Sequence, residues 1–272
     1  MRSQGTKQWI EDYLFIINKQ GDRVPFKLNP IQHKFLTEDV SGKDIVLKAR
    51  QQGFSSLILA MFAKDFLTKE NTYNVVVADD TDNAQGLLKR VKGFVQNWCE
   101  KEGFSEKQIL KYNSKYELYF EAINSTYHIG TAQNTQFGRS RTITNLHLSE
   151  GAFYPHLMDI LAGAGQAFSG QGKLIIETTA NGYNEFQDFW TRSKLGETGF
   201  QAHFYPASDF YDIETLELKK QELKLAQDGG TYEQEYPDTD AEAFLLSGRP
   251  YFGREATEYY TSMIVKPIQD YV

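Results

Sequence analysis

A chain of 272 residues, 40% hydrophobic and 14% aromatic, can bury a sizeable core and is too apolar to be disordered by composition. Its formal net charge of −7 argues against a protein that coats nucleic acid by bulk electrostatics, while leaving room for a local basic patch. No apolar run approaches the roughly 20 residues that span a bilayer, the N-terminus lacks a secretory pattern, and the single Cys99 excludes an intrachain disulfide framework, so a cytoplasmic α/β protein is expected.

The segment "PFKLNPIQHKFL" comes before the first expected strand; Pro30 fixes the chain there, and Gln32 offers an amide that can donate and accept against a flat base. Asp44–Leu47 reads as a strand, followed by the loop "KARQQGFSS" and a helix with apolar residues at helical spacing. Tyr73–Asp79 is a β-branched run with the look of a buried strand, and an amphipathic helix follows it to Gly103. "KYELYFE" and "STYHIGTA" alternate as an antiparallel pair should. Thr142–Glu150 and Lys173–Gly182 are read as two further strands ending in polar residues, with "QAHFYPA" as a last one. Strands alternating with helices imply a mostly parallel sheet whose ligand crevice lies at the carboxyl ends of the strands. Residues 1–205 are expected to form this core, 206–250 a small appended subdomain, and 251–272 a connection.

The loop from Lys48 to Ser56 has the setting of a phosphate-binding turn: a strand, a glycine, then a helix opening on hydroxyl residues. Phe54 stands where such a loop carries its lysine, so the cation must come from Lys48 or Arg50. Ser55 is placed to bind Mg²⁺ and Ser56 to donate to a phosphate. "NLHLSEGAF" ends an apolar strand in Glu150, a candidate general base, with Ser149 where a metal-associated aspartate is usual. His147, between two leucines, is expected to be packed. Thr178, Thr179 and Asn181 form a polar turn that can sense a γ-phosphate, and Arg139 and Arg141 lie in a loop from which an arginine can reach a neighbour's nucleotide. Taken singly, each feature has a plain structural explanation as a cap, turn or solvated loop. Their order along one sheet edge is what raises them.

In these motifs the sequence resembles the ATPase domain of the large terminase subunits that package DNA into tailed-phage heads. "KARQQGFSS" is similar to the deviant Walker A of that family, with the lysine at the start of the loop. "HLSEGAF" resembles a Walker B variant, "ETTANGYNEF" the coupling motif, and "EQEYPDTDAEAFLLSG" the segment closing the domain. The resemblance implies a P-loop NTPase fold of the RecA-like kind, a mostly parallel sheet flanked by helices, with a small C-terminal lid or linker subdomain. It further implies ATP and Mg²⁺ held by Gln32, Lys48, Arg50, Gln51, Gln52, Gly53, Phe54, Ser55 and Ser56, with Ser149 also at the metal. Glu150 would act as base, Arg139 in trans, and Thr178, Thr179 and Asn181 in coupling. The implied partners are double-stranded DNA, a homo-oligomeric ring on the portal protein, the small terminase subunit and a C-terminal nuclease domain. The implied location is the host cytoplasm, transiently at the procapsid portal. Under the packaging reading, Lys89, Arg90 and Lys92 are basic residues available for DNA contact, although helical lysines and arginines usually form a solvated face. A helicase-like DNA remodeller and a non-hydrolysing nucleotide switch are the alternatives.

Overall fold

The β-branched and apolar runs of the sequence become the strands of one large sheet, and the computed structural model describes residues 2–133, 141–225 and 232–245. Helix α1 (Arg2–Tyr13) leads into a hairpin of β1 (Phe15–Ile17) and β2 (Arg23–Pro25), then α2 (Pro30–Lys34) and a wider helical turn at Phe35–Asp39. Strand β3 (Lys43–Lys48) and helix α3 (Phe54–Thr68) flank the loop singled out above. Strand β4 (Tyr73–Ala78) feeds α4 (Thr81–Glu102), which Asp80 caps by accepting from the Asn83 N–H and left-handed Gly103 closes. The short helix α5 (Glu106–Ile109) precedes β5 (Tyr112–Asn113), β6 (Glu117–Phe120) and β7 (Ser125–Thr131). After them come β8 (Asn145–Ser149), α6 (Leu157–Ala167), β9 (Leu174–Thr178), α7 (Glu185–Lys194) and β10 (Gln201–Tyr205). Helices α8 (Ile213–Leu225), α9 (Tyr232–Glu235) and α10 (Asp240–Leu245) complete the described chain.

The eight strands of the sheet lie in the order β10-β3-β9-β8-β4-β7-β6-β5. All pairs from β10 to β7 are parallel, and only the β5–β6–β7 edge is antiparallel. Alternate residues of a strand face opposite ways, and this parity builds two cores. Val46, Val76, Tyr127 and Ile175 face α1, α3 and α4; Ile45, Leu47, Val77, Leu148 and Ile176 face α6 and α7. The expected parallel sheet flanked by helices is therefore present. The sequence reading missed α1, the β1–β2 hairpin, and helices α6 and α7.

The segment read as an appended unit from residue 206 is anchored on the core where it is described. Ala243 and Phe244 pack with Phe186 and Trp190, and the Trp190 indole donates to Asp240 at 3.0 Å. Tyr236 packs against Ala49 and Ala207, and the Arg50 N–H donates to the Glu235 carbonyl at 2.8 Å. Residues 251–272 lie outside the described residues. Among the described residues, no helix is long and apolar enough to cross a membrane.

Candidate active site

Parity also assembles the polar cluster at the carboxyl ends of the strands. Lys48 follows Val46 by two residues on β3, so both belong to the face covered by α3. Glu177 lies across from Val46 on β9, and Ser149 lies across from Glu177 on β8. Three adjacent strands thus deliver Lys48, Glu177 and Ser149 to one place, beneath the first turn of α3, where Ser55 sits. His147, on the same face of β8, completes the floor.

The contacts are tight and centre on Glu177, which is fully buried. Its Oε1 accepts from Ser55 Oγ at 2.7 Å and Ser149 Oγ at 2.8 Å, with His147 Nε2 at 3.3 Å. The Lys48 ammonium lies 3.2 Å from Glu177 Oε2 and 3.3 Å from Glu150 Oε1. Burial works against the charge of Lys48, but the two carboxylates outweigh it and hold the ammonium above the usual lysine range. For Glu177, burial is overcome by Lys48, His147 and Ser55, and its carboxyl is held well below the usual range. Glu150 goes the other way: loss of water, reinforced by the charge of Glu177, outweighs Lys48 and raises its carboxyl. Lys48 is thus the shared counterion of Glu150 and Glu177, and Glu150 is the more basic carboxylate, a property suited to taking a proton.

Backbone strain marks the same place. Among the described residues, the non-glycine positions with positive φ are Gln51, Asn71, Asn124 and Glu150. Asparagine tolerates the left-handed region; Gln51 (φ 60°), in the loop before α3, and Glu150 (φ 58°), beside Lys48, do so less readily. The strained Glu150 is held by its neighbour strand. Its Oε2 accepts from the Thr179 N–H at 3.2 Å and from Thr178 Oγ1 at 3.3 Å. Asn181 and Asn184 both donate to the Ala152 carbonyl, at 3.2 and 2.7 Å, and so clamp the turn after Glu150. The Thr178, Thr179 and Asn181 side of the sequence reading is therefore brought against Glu150.

The loop itself is braced from outside. Gln32 is buried, its Oε1 accepts from the Asn29 N–H at 3.1 Å, and its Nε2 donates to the Gly53 carbonyl at 2.8 Å. Contact with a base would require that amide to exchange Gly53 for the base. Gly53 has φ 81°, and a Cβ there would come within 2.7 Å of Gln32 Nε2, so the brace needs glycine. Phe54 turns into the core against Tyr205 (4.7 Å between ring centroids) and Phe35 (5.5 Å). A charge on that side chain would be buried among rings at high cost. From Phe54 only the backbone at the start of α3 can meet a ligand. Gln52 is likewise buried, donating to the Pro206 carbonyl at 2.9 Å, and Ser56 is half-buried in the first turn of α3. Arg50 is exposed and pairs with Glu235 at 3.1 Å, whereas Lys48 is inside the cluster.

Arg139 lies outside the described residues. Arg141 stacks over Tyr73 at 5.2 Å and lies 3.7 Å from Glu117, on the antiparallel side of the sheet. Lys89 and Arg90 lie on α4, and Lys92 donates to the Ser114 carbonyl at 2.8 Å. His147 is packed as expected, edge-on to Phe62 at 6.3 Å, but also meets Glu177. The residue at the centre of this cluster that the sequence reading lacked is Glu177. The signal was a carboxylate inside the apolar run "LIIET", at the parity of Ile175 and thus on the α3 face.

The oxygen donors at the centre are two serine hydroxyls and two carboxylates. Glu177 Oε2 is buried with no hydrogen-bond donor aligned on it, although Lys48 is near. Hard oxygen donors of this kind suit Mg²⁺, so the residues present fit that ion.

No protein-family model matches the sequence. Solved structures do match the fold. The large terminase ATPase domain of Thermus phage P74-26 is 17% identical, with a TM-score of 0.60 over 78% of this chain and 93% of that one. The large terminase of bacteriophage HK97 is 16% identical, with a TM-score of 0.61 over 89% of this chain and 50% of that one. The large terminase of a thermophilic bacteriophage, solved in complex with ADP, is 16% identical, with a TM-score of 0.53 over 77% of this chain and 52% of that one. This chain spans about half the length of the HK97 protein and of the ADP-bound one. Its structural neighbours are phage large terminase ATPase domains, and its fold is the P-loop NTPase fold.

Proposed function

We propose that this chain is the ATP-hydrolysing motor domain of a phage DNA-packaging terminase, coupling hydrolysis to movement of double-stranded DNA into a procapsid. One observation carries the reading. A buried lysine from the strand before the loop, hydroxyls from the helix start and a neighbouring strand, and a strained glutamate with a raised pKa meet at one sheet edge.

The phosphates of ATP would lie at the start of α3, where free N–H groups and the helix dipole favour anions. Gly53, Phe54, Ser55 and Ser56 offer that backbone, with Gln51 and Gln52 shaping the turn. Lys48 supplies the first cation. Arg50 is a second, available once it leaves Glu235. Gln32 is assigned to the adenine side of the loop. Ser55 and Ser149 would hold Mg²⁺, which when bound supplies charge neutralisation to the phosphates. Phosphate oxygens compete with Glu150 for Lys48, and a Glu150 released from that contact is free to orient the attacking water and take its proton. Because Thr178 and Thr179 grip the same carboxylate, its displacement pulls on the turn that ends in Asn181. That turn also accepts from α9, where Gln234 donates to the Ala180 carbonyl at 2.8 Å. Motion can pass from Glu150 to the C-terminal segment by this route.

Arg139 is assigned the trans-acting role, with Arg141 as the alternative, in a ring of like subunits on a portal protein. The small terminase subunit and a nuclease domain are the further partners proposed, in the host cytoplasm and transiently at the portal. DNA contact should be mostly to phosphates and salt-sensitive, since a packaging motor must accept any sequence.

The test is ATP turnover across a wide range of protein concentrations, beside Glu150→Ala and Arg139→Ala variants. The expected result is specific activity that rises with concentration, loss of activity in each variant, and partial recovery on mixing them. A chain that binds ATP without ever hydrolysing it, even when assembled on a portal, would be a nucleotide switch. Strand separation by the isolated chain would favour a helicase-like remodeller.

A further inference from the structure

We infer that Glu177 is the acidic anchor of the divalent-cation subsite, supplying from β9 the charge that Ser149 does not supply at the end of β8. The inference rests on the nucleotide-hydrolysing reading and names how that site holds its metal.

The argument begins with register. Ser149 and Glu177 are direct partners across the β8–β9 pair, so their side chains project from the same face. Adjacent strands lie about 4.8 Å apart, a gap that the longer glutamate side chain helps to close. The geometry shows the displacement completed, because Ser149 Oγ is 2.8 Å from Glu177 Oε1. An aspartate at position 149 beside Glu177 would set two carboxylates in hydrogen-bond range of each other. Serine in one position and glutamate in the other are therefore a matched pair.

Donor direction gives the second part. Ser55 comes from the start of α3 and Ser149 from the end of β8, yet both hydroxyls converge on the same carboxylate oxygen. A hydroxyl that donates its proton to Glu177 keeps its oxygen lone pairs for a cation. Partners of this kind orient metal ligands and raise their basicity. A simple counterion of Lys48 would need neither hydroxyl. The fully buried Oε2 faces the Lys48 ammonium at 3.2 Å, so one carboxylate joins the lysine to both hydroxyls. Glu177 is accordingly a positioning residue, acting through Ser55 and Ser149.

The experiment is equilibrium binding of ADP to the chain as Mg²⁺ is titrated in from a chelated start. Wild type, Glu177→Gln and the double variant Ser149→Asp/Glu177→Gln are compared, with thermal unfolding recorded for each. In wild type, Mg²⁺ should tighten ADP binding. In Glu177→Gln the Mg²⁺ midpoint should rise by roughly 10–100-fold. The double variant, with its carboxylate moved back to β8, should regain most of that loss. An unchanged Mg²⁺ midpoint in folded Glu177→Gln would overturn the inference and leave Glu177 as the structural counterion of Lys48. So would a folded double variant that recovers nothing. Should Glu177→Gln fail to fold, the double variant decides alone. Failure of the hydrolase reading looks different: wild type would then bind no ADP with or without Mg²⁺.

Discussion

Replacing Lys48 by methionine keeps most of the buried stem and removes the charge, and the consequences can be worked from the cluster. Glu177 is fully buried and would lose the lysine that lies 3.2 Å from its Oε2. Breaking a buried pair by removing one partner costs about 3–5 kcal/mol. The hydrogen bonds from Ser55 and Ser149 remain, so the low end, about 3 kcal/mol at pH 7, is expected. Glu150 adds little, because its Oε2 keeps the Thr179 N–H and Thr178 Oγ1 contacts when the lysine is gone. The pH dependence should invert. In wild type the Glu177 carboxyl is depressed, so its contribution is present above an unfolded glutamate's pKa of about 4.3 and lost as pH falls through the folded value. Without Lys48, burial outweighs the remaining hydrogen bonds, so the folded pKa is raised above the unfolded one and stability falls as pH rises through that window. The deficit of Lys48→Met should therefore be near its full size at pH 7 and shrink towards pH 4.5. Denaturant unfolding in chelating buffer at both pH values measures it, and the melting point at pH 7 should drop by roughly 6–12 °C. Adding Glu177→Gln to Lys48→Met should recover most of the loss. A deficit below about 1 kcal/mol, or one equal at both pH values, would refute the assignment of Lys48 as the counterion of a buried carboxylate.

Gly53→Ala should destabilise by about 1–3 kcal/mol, because the left-handed turn strains any Cβ and that atom meets the Gln32 amide; thermal unfolding checks it, and an unchanged melting point would mean the brace is dispensable. Asp240→Asn should cost about 1 kcal/mol near pH 7. Burial alone would raise the Asp240 carboxyl, but Lys194 and Trp190 hold it below its usual range, so the cost should vanish as pH falls through the folded value. Cys99 is buried, and its thiol is pushed up to about 11, so alkylation of the native protein at pH 8 should be far slower than in denaturant. Native-rate alkylation equal to the denatured rate would contradict its burial.

Much of the sheet was legible because apolar runs at strand length announce themselves. Tyr73–Ala78 appears in the structure almost as read, and the strands read at 142–150 and 173–182 are trimmed to Asn145–Ser149 and Leu174–Thr178. The trimming falls where polar residues leave the ladder to build the site. Helix α6 escaped because Gly163 and Gly165 lower its local propensity, and packing of Leu157, Ile160 and Ala164 overrides that cost. The β1–β2 hairpin escaped because three-residue strands carry almost no pattern; its turn is set by Asn18, whose side chain accepts from the Gln20 and Asp22 N–H groups.

The site was legible in its parts and not in its wiring. Lys48, Ser55, Ser149 and Glu150 could be picked out from spacing along the chain, because each sits at the end of a strand or the start of a helix. Glu177 could not, because spacing says nothing of which strand lies beside which. The expected chain order of strands hides that β9 separates β3 from β8, and that order decides the electrostatics. With β9 in the middle, its parity-matched residue lies between the lysine of one neighbour and the serine of the other. An apolar residue there would leave Lys48 buried with only the half-exposed Glu150, whereas a carboxylate neutralises the lysine and orients two hydroxyls at once. The unusual Phe54 and Ser149 then follow from the same arrangement. On the proposed reading the cation stands at the end of β3, which leaves position 54 to fill the core, and the anion on β9, which favours a neutral residue at position 149.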